Sequence, residues 1–257
     1  MSSPNVDFLG RCAKSRPRFA KHVVGPAPTD PFDFQIWSMS GGHLLILEIL
    51  ANIYSQLDTI PPAEEQNFAL FCLFGMQFIE HHHHLEETVI FPMMEPEFTT
   101  NVLAEHATFS GALHELDKYL KSVLAVKQGA KNGQVIPIVG QAKVPFSAST
   151  IKRYMETMID PLFTHLEHEL EWLAPENIRA SGLSKARLDQ INAKAEEHIQ
   201  NEMDISLLVF GTRHVRPESY FPPLPWFLAK ILVPWVFWWK DRKLWKFLPK
   251  SFVPIEP

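Results

Sequence analysis

The densest group of metal-capable side chains in the sequence is His81-His82-His83-His84-Leu85-Glu86-Glu87. On a helix, residues four apart lie on one face, about 6 Å apart along the axis. A His and a Glu at that spacing can therefore grip one metal position together. Two such pairs fit this tract, His82/Glu86 and His83/Glu87. A second tract, His165-Leu166-Glu167-His168-Glu169, carries His165 and Glu169 at the same spacing. Ten residues separate His165 from Pro175, and ten separate His82 from Pro92. Aligning the two stretches puts His82 on His165, Glu86 on Glu169 and Pro on Pro. That match selects His82/Glu86 and His165/Glu169 as the inward pairs. It leaves His81, His83 and His84 as solvent-facing groups or as outer partners of the ligands.

Two further histidines sit on apolar helical faces, His43 among Met39, Ile46, Leu47 and Leu50, and His106 among Val102, Phe109 and Leu113. A lone His on such a face is more often a core residue than a ligand. Here the order of the chain is a His and then a His-x-x-x-Glu, twice over. Four imidazoles and two carboxylates suit two metal ions bridged by carboxylate. Nitrogen and carboxylate donors favour iron or manganese, with zinc also chemically compatible. Neither Cys12 nor Cys72 falls at ligand spacing.

These residues need helices to position them. Apolar periodicity predicts helices over 33–57, 63–94, 98–124 and 150–173. Pro61-Pro62, Pro92, Pro96 and Pro175 supply the stops, and Pro161 predicts a kink or a broken start in the fourth. Residues 127–149 read as a long connection. A polar fifth helix is expected over 183–203, with Ser184 as its cap. No β-alternating run competes. The architecture is all-α, a four-helix bundle with an extra helix and an irregular C-terminal tail. The expected organisation is a leader over 1–29, a metal-binding domain over 30–177, and an extension over 178–257 that packs on the bundle. The leader is expected to be irregular because Pro17, Pro26 and Pro28 interrupt any amphipathic helix there.

Composition narrows the classes. The chain has 257 residues, 46% hydrophobic and 21% charged, which excludes wholesale disorder and a fibrous repeat. A formal net charge of −5 gives no footing for a nucleic-acid partner. Two cysteines cannot staple a secreted fold and read as reduced thiols, and 1–29 has no apolar signal core, so a cytoplasmic location is expected. The tryptophan-rich stretch 224–239 is too short to span a bilayer and is interrupted by Lys230 and Pro234. It is expected to wrap over the domain rather than touch a membrane surface. No P-loop, dinucleotide fingerprint or Ser-His-Asp order is present.

The His43 helix, His82-His83 with Glu86-Glu87 and Phe91-Pro92, Glu105-His106, and His165 with Glu169 and Pro175 together resemble the hemerythrin-like HHE cation-binding domains, over residues 30–177. The tail from Tyr220-Phe221-Pro222-Pro223 to Trp245-Lys246-Phe247 is similar to the C-terminal extension of fungal members. The resemblance implies an antiparallel bundle around a non-haem di-iron centre. His43 and His82 would hold one iron, and His106 and His165 the other. Glu86 and Glu169 would bridge them, with an oxo or hydroxo bridge completing the centre. Oxygen-carrying hemerythrins place a second His four residues after the one matching His106; this chain has Ser110. They use His-x-x-x-x-Asp in the fourth helix, where this chain has His165-x-x-x-Glu169. One His fewer implies a more open coordination sphere. The pattern is similar to the four-His, two-Glu members associated with nitric-oxide or peroxide chemistry and iron-centre repair.

Three functions follow as expectations. The first is binding or reduction of a small oxidant (dioxygen, peroxide or nitric oxide), served by a separate reductase. The second is an oxygenase or oxidase acting on an organic substrate of the secondary-metabolite kind. The third is a non-enzymatic iron store, sensor or oxygen carrier. The sequence leaves enzyme and binder both open.

Overall fold

The computed structural model describes residues 7–124, 144–223, 232, 235, 239 and 241–255. The described residues are all-α. The helices run α1 Phe8–Ala20, α2 Pro31–Gln56, α3 Glu65–Leu85, α4 Phe91–Met94, α5 Val102–Leu124, α6 Ala148–Trp172, α7 Pro175–Ser181, α8 Lys185–Glu202 and α9 Ile205–Thr212. Helices α2, α3, α5 and α6 form the antiparallel bundle. In it α3 packs between α2 and α5, and α6 closes the ring from α5 back to α2.

Local chemistry explains the helix ends. Asp30 caps α2 by accepting from the Phe32 N–H, with Pro31 in the first turn. Ser147 caps α6 through the Thr150 N–H, and Ser184 caps α8 through the Arg187 N–H. Gly182, at φ +89°, ends α7 in the left-handed conformation that suits glycine. Pro161 does not break α6, which runs through it as one element.

The second bundle helix departs from α-geometry after Leu85. Residues Glu86–Ile90 form one π turn, and the Phe91 N–H bonds the Glu86 carbonyl five residues back. Pro92 is the cause. It has no N–H to give, and its ring crowds the carbonyl four residues earlier, so the chain widens by one residue there. The turn begins at Glu86, one of the expected ligands.

The leader is a correction. Residues 8–20 are not irregular; they form α1, which packs on α2 and α6. Phe8, Cys12, Phe19 and Ala20 are buried. Arg11 and Arg18 bond Glu167, at 2.7 and 2.9 Å. A proline inside a helix costs about 3 kcal/mol. Burying Phe8 and Phe19 returns about 1.5–3 kcal/mol each. Pro17 also sits near the C-terminal end, where little helix remains to be lost.

Helix α2 with the turn after it, Pro31–Thr59, is long and apolar enough to cross a membrane, but 78% of its apolar window is buried inside the protein. Its burial against α1, α3 and α6 explains that apolarity. Parts of the tail lie on the bundle, whereas Trp235 and Trp239 are exposed. The Phe247 carbonyl accepts from Asn52 and Gln56 of α2, and Trp245 and Phe247 are buried. The Phe221 ring occupies the space over Gly41, where a Cβ would fall 2.1 Å from its Cγ. Most of the tryptophan-rich stretch 224–239 lies outside the described residues, as does most of the connection 127–149.

Candidate metal centre

All six residues singled out by spacing meet in the middle of the bundle. His43 comes from α2, His82 from α3, Glu86 from the π turn, His106 from α5, and His165 and Glu169 from α6. They form two groups that share Glu86. His43, His82, Glu86 and Glu169 present donor atoms within 4.8 Å of one another, and so do His83, Glu86, His106 and His165. Glu86 Oε1 lies 2.8 Å from His82 Nε2, and its Oε2 lies 3.6 Å from His106 Nε2. Glu169 Oε2 lies 3.1 Å from His43 Nε2 and 3.3 Å from His165 Nε2. Each carboxylate thus reaches into both groups.

His83 is the second correction. Register matching leaves it outside the ligand set, solvent-facing or an outer partner, yet it is buried and its donor atoms fall in the second group. Successive helical residues point about 100° apart. Because α3 lies between α2 and α5, that angle turns His82 towards α2 and His83 towards α5. The His82 ring stands edge-on to His43 at 5.2 Å between centroids, whereas the His83 ring sits 4.6 Å from His106 and 4.9 Å from Phe109. A centre wide enough for two ions uses both registers of the tract. The nitrogen that Ser110 fails to supply on α5 has a counterpart in His83 on α3.

Two outer carboxylates escaped the sequence reading as site residues. Glu87 Oε1 lies 2.5 Å from His106 Nδ1, and Glu105 Oε2 lies 3.1 Å from His165 Nδ1. Each holds the outer ring nitrogen and so turns Nε2 inward, the arrangement that orients ligating imidazoles. The available signal was adjacency, since Glu87 follows Glu86 and Glu105 precedes His106. Gly42 has a role of the same kind. A Cβ there would lie 2.8 Å from His82 Cε1, so its bare backbone makes room for that ring. Phe19 and Phe109 wall the centre, and Phe163 packs behind Phe19.

The electrostatics of these groups is anomalous for a protein interior. Glu86 and Glu169 are fully buried, and burial pushes both carboxyls well above the usual carboxylate range. Burial lowers His82 to about 4 and His165 to about 2, the latter helped by the neighbouring His106, and it depresses His43 and His83 strongly. His43 Nε2, His82 Nε2, both ring nitrogens of His83 and all four oxygens of Glu86 and Glu169 lack a hydrogen bond of proper geometry among the described residues. Buried polar atoms are normally paired, and leaving one unpaired costs about 1–3 kcal/mol. Neutral imidazoles and carboxylates aimed at common points are a donor set for cations, and the N/O chemistry fits iron or a similar first-row metal. The residues fit a di-iron or similar polynuclear site.

A cleft of about 410 Å³ reaches the second group from the surface, lined by residues that include His83, His106, Phe109, Ser110 and His114. Ser110 lies at this opening, where the side chain of a histidine would narrow it.

Comparison with known proteins agrees with this geometry. Neither curated proteins nor solved structures give a significant match. The profile of the hemerythrin HHE cation binding domain matches residues 36–176, more than half of the chain and all six of the residues singled out by spacing. The chain therefore belongs to the hemerythrin HHE cation-binding family.

Proposed function

We propose that this protein is a non-haem di-iron protein that binds or reduces a small oxidant: dioxygen, peroxide or nitric oxide. The observation that carries the reading is the pair of buried carboxylates, each reaching both imidazole groups with no hydrogen bond of proper geometry among the described residues. In this reading His43 and His82 would hold one ion, and His83, His106 and His165 the other, with Glu86 and Glu169 available to both. Bound iron supplies electrons and Lewis acidity. The chain supplies the rest. Glu87 and Glu105 fix the orientation of His106 and His165. Phe109 and its neighbours exclude bulk water. The cleft beside Ser110 admits a small ligand to the His83/His106 side. Manganese or zinc in the same donor set is the competing occupancy.

The sequence has no nicotinamide or flavin motif, so turnover would draw on a separate reductase. Two buried, reduced thiols, Cys12 and Cys72, suit a cytoplasmic setting. The likeness of the Pro/aromatic tail to the fungal extension belongs to this proposal, with that tail covering the bundle rather than meeting a membrane. An organic substrate is the weaker reading, because the cleft opens among Glu80, His84, Glu87 and His114.

The test is to purify the protein anaerobically, measure metal per chain, and record the optical spectrum before and after oxygen. About two irons, with new charge-transfer bands on exposure, is the expected result. Zinc, or no metal in protein produced with ample iron, overturns it.

A further inference from the structure

Two histidines of the tract remain outside the buried centre, and they meet a second helix. His81 and His84 lie one turn apart on α3, facing His198 of α8. The His198 ring stacks on His81 at 5.8 Å between centroids and lies 5.7 Å from His84. Its Nε2 is 3.2 Å from Glu202 Oε2, one turn further along α8. Donor atoms of His84, His198 and Glu202 all fall within 4.8 Å of one another. Ligands about 2.0–2.2 Å from one tetrahedral ion stand about 3.3–3.6 Å apart. Rotamer adjustment of at most about 1.5 Å brings all three onto one ion. Two ring nitrogens here, His81 Nε2 and His198 Nε2, are buried without a hydrogen bond of proper geometry.

We propose that His84, His198 and Glu202 form a second, mononuclear metal site for a borderline divalent cation of the Zn²⁺ kind, with His81 stacked behind His198 to hold its ring. The cluster shares no residue with the buried centre. Its donors are two imidazoles and one carboxylate, which suits zinc and its first-row neighbours rather than the all-oxygen ions. Three protein ligands leave the remaining position to water.

The site has a structural consequence. Helix α8 buries only Leu188 and Ile191, both in its first half. From residue 192 to 202 no side chain is buried, and the imidazole cluster ties this half of α8 to α3. A bound ion would clip that half to the bundle.

The test uses the full chain with its buried centre filled as purified. Zinc is titrated by calorimetry, with buried-metal content measured before and after, and hydrogen exchange of residues 193–202 is followed. The wild type is expected to take up one additional zinc per chain, keep its buried metal, and exchange more slowly over 193–202. His198→Ala should weaken that uptake by at least about 100-fold, beyond the 10–100-fold usual for an outer partner, and abolish the exchange effect while the buried metal stays. Glu202→Gln, at an exposed position, should weaken uptake in the same direction and cannot act by unfolding the core. No additional zinc in the wild type overturns the proposal, and so does zinc uptake that both variants leave unchanged. Neither outcome bears on the identity of the buried centre.

Discussion

Helix α2 carries groups of two buried ionisable clusters, five residues apart, and they are built in opposite ways. At Glu48 the carboxylate is closed by its own chain. Arg16 Nε of α1 donates to it at 2.7 Å and Arg216 Nη1 at 2.9 Å, and Arg216 also donates to Glu218 and to the Val253 carbonyl. At His43 the neighbouring carboxylates, Glu86 and Glu169, meet only imidazoles whose protonation burial opposes. Both clusters are desolvated to a similar extent, with Glu48 5% exposed and Glu86 and Glu169 at 0%. What separates them is whether the sequence supplies fixed cations. A guanidinium stays charged in almost any surroundings, whereas an imidazole in a dry pocket gives up its proton. The first cluster is a structural clamp tying α1 and the tail to α2. The second has no fixed cation of its own among the described residues.

The largest way to break this contrast is to take the metal away. A site held a thousandfold above its Kd adds about 4 kcal/mol per ion, so chelating two ions should cost about 8 kcal/mol. Calorimetric melting of loaded and chelated protein reads this directly; equal midpoints would mean that no ion stabilises the centre. His82→Ala and His165→Ala should reproduce the loss, and His84→Ala should not.

Next is the closed cluster. Arg216→Met leaves Glu48 with a single cation and unties the tail, and should cost about 3–5 kcal/mol while metal content stays unchanged. Replacing Arg16, Glu48 and Arg216 together by apolar residues should be neutral or stabilising by about 1–4 kcal/mol. Replacing Glu86 and Glu169 by Leu should stabilise the metal-free chain and abolish metal uptake by the buried centre. Denaturant melts with metal analysis distinguish the two clusters, and loss of metal in the Arg216 variant would show that they are coupled.

A smaller effect is the response to pH. In metal-free protein the raised carboxyls of Glu86 and Glu169 bind protons that the unfolded chain releases above about 4.5, so stability falls as pH rises. The depressed His82 and His165 act the other way. Their contribution is complete above about 6.5 and is lost as pH falls towards about 4 and about 2. Above about pH 6.5 the effect of these two carboxyls remains, beside that of Glu80, which burial raises to about 7 whether or not metal is bound. The melting temperature of metal-free protein should therefore fall more steeply with pH above about 6.5 than that of loaded protein. Parallel pH profiles would contradict the assignment of the carboxyls as metal-compensated.

The smallest is Gly42→Ala. Alanine favours the helix by about 0.8–1 kcal/mol. Its Cβ would nonetheless press on the His82 ring at 2.8 Å. Metal affinity should fall about 10-fold with little change in the melting of metal-free protein. An unchanged affinity in a competition titration would mean that the ring has room to move.

Much of this was legible in the residues. Apolar periodicity and proline stops placed the four bundle helices within a few residues. The shared His-x-x-x-Glu spacing pointed to four side chains, and apolar helical faces to His43 and His106; the fold brings all six together. The misses have definite causes. The α1 segment looked irregular because Pro17 weakens it locally, while its stability comes from burial against α2 and α6, which no local pattern shows. His83 was left outside the ligand set because a one-face rule suits a helix with one neighbour, and α3 has two. Glu87 and Glu105 were in plain view, but which acid touches which ring depends on helix rotation. The π turn after Leu85 combined the visible Pro92 with a backbone response the periodicity does not encode.

The bundle helices, the donor types and their spacing along each helix follow from the order of residues alone, because those depend on neighbours three and four residues away. Only the tertiary structure decided which donors share a point in space, that Glu86 and Glu169 each reach two groups, and that His83 joins them while His84 turns to α8. Those outcomes follow from the order in which α2, α3, α5 and α6 pack around one axis, a relation between residues up to more than a hundred positions apart.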